Sequence, residues 1–326
     1  AEDGIRDARS SLVGSEMCIR DRAIPVLFAA FHTPADARSS RARGPAPRSF
    51  KRIATFPVYR NTDIAVETVA EIVAASQDGR TLVYTDSETE SLGFVDISNP
   101  ANPQPAGVVA LPGEPTSVGV DGKHALVCVN TSPDFVNPSG SLLVIDMNIR
   151  QVVRMMSLGG QPDSIAISPD RRYAVIAIEN ERDEDLGNGE PPQAPPGFVV
   201  IVRTQGNPKG WTQTNVALAG VPDLFPQDPE PEYIDINQQN VAVVTMQENN
   251  HIALIDLRTA TVVGDWPCGT VNLDDVDILE NELIEQVDSL SMVPREPDAV
   301  TWITDDKLAT ADEGDLYGGS RGFTIF

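Results

Sequence analysis

The sequence predicts an all-β protein, and within that class a β-propeller built from four-stranded blades. Short apolar segments alternate with turn residues along most of the chain, and no apolar run reaches the roughly 18 residues of a membrane-spanning helix. One arrangement of strand, tight turn and strand recurs. A length of 326 residues is enough for one large all-β domain.

The recurring arrangement is clearest between Leu158 and Asp185. Alternating apolar residues predict a strand from Asp163 to Ser168, a tight turn at 169–171 and a second strand from Tyr173 to Ile178. A dense run of charged residues follows. Such short strands are typical of sheets that are buried on both faces by neighbouring sheets.

Five strand openings align with one another. They are AEIVAAS at Ala70, EPTSVGV at Glu114, QPDSIAI at Gln161, EPEYIDI at Glu230 and EPDAVTW at Glu296. Each is followed by a turn, a second strand and a third strand, and the first four units have a fourth. The central apolar positions of the openings, Val73, Val118, Ile165, Ile234 and Val300, are 45, 47, 69 and 66 residues apart. The first two spacings match a four-stranded blade repeat, and an irregular β-sandwich is the alternative.

The two longer spacings indicate insertions. One is a loop at 180–197, and the other is 270–294, where LDDVDILENELIEQVDSL predicts a short acidic helix. A further strand is predicted at 51–59. That strand either closes a five-bladed ring, or the chain is part of a larger, truncated propeller. The sequence stops within a strand, which favours the second interpretation.

The amino-acid composition limits the kinds of partner that the protein can bind. The chain has 24 Lys and Arg against 48 Asp and Glu, a net charge of −24. Such a charge argues against nucleic acid and anionic membranes as partners, and it suits a secreted or periplasmic protein, a cation binder or a protein of a salt-adapted host. The oligomeric state is left open. Of the three cysteines, Cys128 lies in an apolar strand pattern and is expected in the core, with a Cys128–Cys268 bridge as the minor alternative.

Acidic residues recur at equivalent places in the blades. In a propeller, the segment before the first strand and the loop after the second strand lie on one face. The predicted metal ligands at these places are Asp86, Glu88, Asp163, Glu179, Glu181, Glu232, Glu248, Asn249, Glu296, Asp298, Glu313 and Asp315. Oxygen ligands without His or Cys suit Ca²⁺. The alternative is a set of solvated, charged loops.

Glu114 and Glu230 belong to the same face without being assigned as ligands, and Arg182, Arg295 and Arg321 are the cations expected there. Glu179, Arg182 and Arg295 are the candidate catalytic residues, since arginine binds phosphate through two hydrogen bonds and a metal ion can activate water. The expected ligand is a small phosphoester, a mineral or a cation. The histidines are scattered, and the chain contains neither a G-x-S-x-G elbow nor a P-loop.

Residues 1–50 are predicted to be a disordered or artefactual leader, and residues 51–326 the propeller, incomplete at its carboxyl end. Within the leader, GIRDARSSLVGSEMCIRDR resembles the peptide obtained when sequencing-adapter DNA is translated.

Several longer motifs carry a family resemblance from about Phe56 to Phe326. They are LVYTDSETESLGFVDI, GEPTSV, VNTSPDFVNPSG, LGGQPDSIAISPD, ENERDED, DPEPEYIDIN, QENNHI, REPDAV and ADEGDLYGGSRGFTIF. This part of the chain resembles secreted β-propellers described as phytase-like, alkaline-phosphatase-like or choice-of-anchor I, which are related to mesenchyme-specific cell-surface glycoproteins.

The resemblance implies a seven-bladed propeller, further chain beyond Phe326, and a secreted, periplasmic or cell-surface location. It also implies phosphatase or esterase activity, or calcium and mineral binding without catalysis. The expected function is therefore an exported Ca²⁺-binding propeller that acts as a calcium-dependent phosphomonoesterase. The alternative is a non-catalytic propeller for cell-surface adhesion or interaction with a biomineral.

Overall fold

The computed structural model describes residues 50–279, 281–314, 316 and 322–326. From Lys51 to Phe326 the chain forms one compact unit. Its described residues are strands, turns and loops, with two short 3₁₀ turns at Val58–Asn61 and Pro208–Gly210. The predicted leader lies outside the described residues except for Phe50.

The described strands form five blades and one separate ribbon, all antiparallel. Blade 1 contains β1 (Ala70–Ala75), β2 (Thr81–Asp86), β3 (Ser91–Asp96) and β4 (Gln104–Ala110). Blade 2 contains β5 (Glu114–Asp121), β6 (His124–Asn130), β7 (Gly140–Asp146) and β8 (Gln151–Ser157). Blade 3 contains β9 (Pro162–Ile167), β10 (Tyr173–Ile178), β11 (Phe198–Arg203) and β12 (Thr212–Ala217).

Blade 4 contains β13 (Pro231–Ile236), β14 (Val241–Met246), β15 (His251–Asp256) and β16 (Thr261–Pro267). The ribbon is β17 (Thr270–Val276) with β18 (Asp288–Pro294). Blade 5 contains β19 (Pro297–Thr304), β20 (Lys307–Asp312) and β21 (Gly322–Ile325). The first strands contact one another in the order β1, β5, β9, β13, β19. This side-by-side order of four-stranded sheets confirms the predicted all-β propeller architecture.

The core lies between neighbouring blades. Separate apolar clusters fill the spaces between blades 1 and 2, 2 and 3, 3 and 4, and 4 and 5. The second strands of blades 2 to 4 have neighbours on both faces, so they are mostly apolar, and every side chain of β10 is buried. Each buried Leu, Ile or Val contributes about 1.5–3 kcal/mol relative to exposure. Cys128 belongs to the second of these clusters and is a free thiol, as is Cys268, so no bridge joins them.

Two predicted elements are wrong. Residues 270–294 form the β17–β18 ribbon instead of a helix, with Thr270 opposite Pro294. A short helix needs a surface that covers its apolar side, yet Ile284 is 89% exposed and Val287 is 77% exposed. No strand forms at 51–59, where Pro57 lacks a backbone donor, so the ring closure expected from that segment is not found among the described residues.

The turn after this segment is fastened to blade 1 by Asn61. Its Nδ2 donates to Tyr84 Oη and to the Phe94 carbonyl, both at 2.9 Å. Its Oδ1 accepts from the backbone N–H groups of Ala106 and Gly107, both at 3.0 Å. The β3–β4 ladder shifts register next to these groups. One side chain therefore supplies hydrogen bonds that the irregular ladder does not provide.

The strand ends divide between two rims. The acidic rim holds the starts of the first strands and the loops after the second strands, near 114, 161–163, 179–185, 228–232, 247–250, 296–298 and 313. The turn rim holds the turns between strands one and two and between strands three and four, near 76–80, 122–123, 147–150, 168–172, 204–211, 237–240, 257–260 and 305–306.

Candidate functional site

A cavity of about 390 Å³ opens at the acidic rim, among blades 3, 4 and 5. Its lining is almost entirely charged or polar, and it consists of Glu179, Glu181, Arg182, Glu184, Glu232, Gln247, Glu248, Glu313 and Gly314. Five of the predicted ligands, namely Glu179, Glu181, Glu232, Glu248 and Glu313, meet here together with the predicted cation Arg182. The expectation that acids from successive blades lie on one face holds for these residues.

An asparagine fixes the acidic loop of blade 3. Asn180 has a left-handed φ of 54°, which asparagine tolerates better than most residues. Its Oδ1 accepts from the Gln161 backbone N–H at 2.9 Å, and its Nδ2 donates to the Pro196 carbonyl at 3.0 Å. The backbone N–H of Glu179 donates to the Gln161 carbonyl at 3.0 Å. Glu179 is thereby held at the end of β10, beside the start of β9.

Asn249 plays the same part in blade 4. Its Oδ1 accepts from the Glu230 backbone N–H at 2.9 Å, and its Nδ2 donates to the carbonyls of Leu224 and Asp228 at 3.1 and 2.9 Å. The prediction of Asn249 as a metal ligand is corrected here, because three backbone hydrogen bonds already use its buried amide. It positions Glu230 and Glu248 instead.

Six carboxylates around the cavity influence one another, and we call them the acidic cluster. Its members are Asp163, Glu179, Glu230, Glu232, Glu248 and Asp298. Burial raises the pKa of Asp163 to about 7, and the nearby charges of Asp298 and Glu181 add to the shift. Burial raises the pKa of Glu230 to about 9, with Glu248 adding to it. Protons therefore neutralise part of the cluster near pH 7.

The other shifts run the same way. Burial and then the charge of Asp163 raise the pKa of Glu179 well above its usual value. Burial and then the charge of Glu248 do the same to the pKa of Glu232. The pKa of Asp298 is raised by burial and by Glu313. Like charges packed together in a poorly solvated place favour a proton, a cation or a salt bridge.

Arg182 is the cation in the described lining of the cavity. It is 7% exposed, and its Nη1 donates to Glu248 Oε1 at 2.7 Å. Its Nη2 lies 3.3 Å from Glu184 Oε1, and its Nη1 lies 3.9 Å from Glu230 Oε2. One guanidinium therefore faces several carboxylates, so the carboxylates of the acidic cluster outnumber the cations beside them.

Amide side chains complete the wall. With its nitrogen turned toward Glu232, the Gln247 amide donates to both carboxylate oxygens at 2.8 Å. Gln161 Nε2 donates to Glu181 Oε2 at 3.1 Å. Glu230 is 1% exposed, and neither of its carboxylate oxygens has a hydrogen-bond donor among the described residues.

Two predicted ligands in blade 1 lie away from the cavity. Asp86 Oδ1 accepts from the backbone N–H groups of Val69 and Thr89, at 3.0 and 3.2 Å, and so caps the β2–β3 turn. Glu88 is exposed on that turn in blade 1. Neither residue lines the cavity, so the structure does not support them as ligands of this site.

In blade 5, Glu296 is fully buried, with φ at 44°, and its carbonyl accepts from the Glu313 N–H at 3.2 Å. Arg295 pairs with Asp312 at 3.4 Å and does not line the cavity. Asp298 and Glu313 line a neighbouring cavity of about 500 Å³. Asp315 and Arg321 lie outside the described residues.

Sequence reasoning placed Glu230 on this face without assigning it as a ligand, and it missed Glu184 and Gln247. Glu230-Pro231-Glu232 aligns with Gln161-Pro162-Asp163 and Glu296-Pro297-Asp298. In each of these three blades, the order is a polar residue, a proline and an acid. Asp163, Glu232 and Asp298 are equivalent by this alignment, and all three belong to the acidic cluster.

The chemistry of the donor set fits a hard cation such as Ca²⁺, because the lining offers carboxylate and amide oxygens without His or Cys. The side chains as placed do not form a ready cage. Among the described residues, no group of three or more His, Cys, Asp or Glu is arranged to hold a metal ion. Binding an ion at the acidic cluster would require its carboxylates to rotate.

The fold and this rim define a β-propeller with a carboxylate-lined cavity at one end. The chain belongs to the choice-of-anchor I domain family, whose sequence profile matches residues 71–318. No curated protein matches it. None of the described helices is long and apolar enough to cross a membrane.

Several solved structures are similar. Hydrazine synthase of Kuenenia stuttgartiensis is 13% identical, with 79% of this chain and 83% of that chain covered and a TM-score of 0.45. A functionally unknown protein from Desulfotomaculum acetoxidans is 12% identical over 80% and 70%, with a TM-score of 0.46. Virginiamycin B lyase from Staphylococcus aureus is 11% identical over 79% and 69%, with a TM-score of 0.46.

Proposed function

We propose that this chain is an exported propeller whose acidic cluster binds Ca²⁺. The supporting observation is the raised pKa of buried or half-buried carboxylates around a cavity whose described lining has one cation, Arg182. Protons hold this excess of acid in the absence of a metal ion. A divalent cation replaces those protons, so that binding couples to proton release.

Calcium is the first choice of cation for two reasons. Its ligands in proteins are carboxylate and carbonyl oxygens, and its coordination is flexible enough for a site formed as side chains rotate. Mg²⁺ demands a stricter octahedral arrangement. Glu179, Glu232 and Glu248 come from three different segments and line the same cavity, so they are the proposed ligands.

The enzymatic form of the proposal is a calcium-dependent phosphomonoesterase of the phytase-like or alkaline-phosphatase-like kind. Arg182 supports it, because a guanidinium beside a bound cation can hold phosphate oxygens. The described lining contains no Ser, Thr, Cys or His, so the side chains themselves offer no nucleophile other than carboxylate. A bound ion would supply Lewis acidity and an activated water there.

The competing form is a calcium-binding propeller without catalysis, acting in adhesion or in contact with a mineral surface. One observation favours it: Arg182 already contacts Glu248 and Glu184, so its guanidinium is less available to a phosphate. The family is described by its choice of anchor, and this description supports a location outside the cell for both the catalytic and the non-catalytic form.

Calorimetric titration of the full chain with CaCl₂ near pH 7, in buffers of different ionisation enthalpy, tests the calcium site. Saturable binding with proton release is expected, and Glu232→Gln should weaken it at least tenfold. Glu285→Gln, on the exposed ribbon, is the matched control and should bind like the wild type. Absence of saturable binding would overturn both forms.

Hydrolysis of p-nitrophenyl phosphate distinguishes the two forms. Turnover that requires calcium, stops with chelator and is lost in Glu232→Gln but not in Glu285→Gln supports the esterase. Calcium binding without turnover supports the non-catalytic form.

A further inference from the structure

A second cavity, of about 320 Å³, lies at the turn rim between blades 2 and 3. Its wall includes Lys123 and His124 from the β5–β6 turn, Asp146 from the end of β7, and Asn207 and Lys209 from the β11–β12 loop. The volume is within the range of small-molecule sites. The cavity lies at the opposite end of the strands from the acidic cluster, so the proposed calcium site does not account for it.

The charge of this cavity opposes that of the protein. The chain has a net charge of −24 and only four lysines, at positions 51, 123, 209 and 307, yet two of the four line this cavity. Lys123 pairs with the buried Asp146 at 2.5 Å. Lys209 makes no salt bridge with a described carboxylate, which leaves its ammonium charge available to a ligand.

Arg154 adds a further unbalanced cation behind the wall. Its guanidinium donates to the carbonyls of Lys209 and Trp211, the second at 3.1 Å, and it pairs with no described carboxylate. Counting Lys123, Lys209 and Arg154 against Asp146 and Asp121, both of which act on His124, leaves an excess of one positive charge. The guanidinium also fixes the loop that carries Lys209, because both of its bonds go to that loop's backbone.

His124 gives the cavity a neutral hydrogen-bonding group. Its ring stands edge-on to Trp211, with 6.2 Å between ring centroids. Burial and the charge of Lys123 lower the pKa of His124, while Asp146 and Asp121 oppose the shift. The imidazole therefore lacks a charge near pH 7, and it can both donate and accept a hydrogen bond. Val153 and Pro208 supply an apolar side to the same cavity.

We propose that this turn-rim cavity is a binding site for a small anion that carries two carboxylate or phosphate charges. The ammonium groups of Lys123 and Lys209 pair with the anionic groups, and the His124 ring and the Asn207 amide hydrogen-bond to the same ligand. Val153 and Pro208 contact its apolar part. A carboxylated or phosphorylated small molecule fits this combination, whereas a cation or an uncharged ligand does not.

Titration of the full-length protein with succinate and with inorganic phosphate tests the proposal. Chelator is present throughout, so that calcium at the acidic rim cannot bind the probe. Heats of binding give affinities, and ¹⁵N-histidine spectra follow His124 separately from the other histidines. Saturable binding is expected with at least one probe, together with a shift of the His124 signals and a rise of its pKa on binding.

Lys209→Met is the test variant and Lys307→Met the matched control, since Lys307 is also exposed at the turn rim but in blade 5. Lys209→Met should weaken binding at least tenfold, Lys209→Arg should retain it, and Lys307→Met should not change it. Equal losses of affinity in both Met variants would mean that the general electrostatic field of the turn rim attracts the anion. That result would overturn the site. So would the absence of saturable binding, or shifts that leave His124 unaffected.

Discussion

At the scale of single residues, the acids of the two rims have different roles. Acids at the turn rim are aspartates that cap turns: Asp78, Asp96, Asp146, Asp170 and Asp256 each accept a backbone N–H two residues ahead, at 2.8–3.1 Å. The glutamates of the acidic rim are one methylene longer and extend into the cavity instead. At the acidic rim, Asp163 and Asp298 also belong to the acidic cluster, so it is the position of an acid in the blade that indicates its role.

Arg182→Met should destabilise the protein in a pH-dependent manner. The change removes the guanidinium that pairs with Glu248 and faces Glu230, and loss of one partner from a buried pair costs about 3–5 kcal/mol. The loss should be larger at pH 8 than at pH 5, because a buried carboxylate that has lost its partner takes up a proton more readily at the lower pH. Urea denaturation at both pH values measures it, with the exposed Arg258→Met as the control. Equal losses at the two pH values would contradict the assignment.

Asn61→Ala should lower the free energy of unfolding by about 1–3 kcal/mol. It leaves the N–H groups of Ala106 and Gly107 without their side-chain acceptor, and Tyr84 Oη without a donor. Urea denaturation gives the value. Asn99→Ala, in the exposed β3–β4 turn, is the comparison and should cost about 0.5 kcal/mol at most. If the two variants lose equal stability, Asn61 does not fasten its turn to blade 1.

The sequence predicted the acids of the site better than their surroundings. Glu179, Glu232 and Glu248 were identifiable because they stand at equivalent places in a repeat. The contact between Arg182 and Glu248 joins residues 66 positions apart, on loops of different blades, and no local pattern encodes it. Asn249 was misassigned because an oxygen ligand and a cap for loop backbone have the same appearance in a sequence.

At the scale of elements, the second and third strands of blades 2 to 4 were the easiest to predict, since both of their faces are mostly buried and they are mostly apolar. Tyr173–Ile178 is an example. The segment that forms the β17–β18 ribbon was predicted as a helix from the spacing of its apolar residues. Those residues do not pack against a regular surface, so their spacing does not indicate the secondary structure. The strand predicted at 51–59 does not form for a related reason: strand propensity alone does not provide a neighbouring strand for hydrogen bonding.

Replacing residues 277–287 of the ribbon with a short Asp-Gly turn should leave stability nearly unchanged. Leu283 and Ile284 in this connection are 60% and 89% exposed, so little buried surface is lost. The melting temperature should move by no more than about 2 °C, and solubility should rise because exposed apolar side chains are removed. Differential scanning calorimetry checks the first point. A loss of more than about 5 °C would show that the ribbon stabilises the blades.

At the scale of the whole molecule, charge is divided between the two ends of the strands. The described Lys and Arg residues of the blades at or reaching the turn rim are Arg80, Lys123, Arg150, Arg154, Arg171, Arg172, Arg203, Lys209, Arg258 and Lys307. Arg182 and Arg295 are the described ones at the acidic rim. Repulsion is therefore concentrated at one end, and conditions that neutralise that end should control the stability of the protein.

Without a divalent cation, stability should fall as the pH rises from about 4 to about 9. The pKa of Asp163 rises from 3.8 to about 7 on folding, and the pKa of Glu230 rises from 4.5 to about 9. The folded state therefore binds more protons than the unfolded state over this interval, so the stability that these groups contribute is present below pH 4 and is lost as each folded pKa is passed.

The melting temperature in chelator should be several degrees higher at pH 5.5 than at pH 8.5. Calcium should raise it at pH 8.5 much more than at pH 5.5, because the ion competes with protons for the same oxygens. Glu230→Gln should flatten the profile in chelator, whereas Glu285→Gln should not. A melting temperature in chelator that rises between pH 5.5 and pH 8.5 would show that the acidic cluster is ionised in the folded protein, and that protons do not balance its charge.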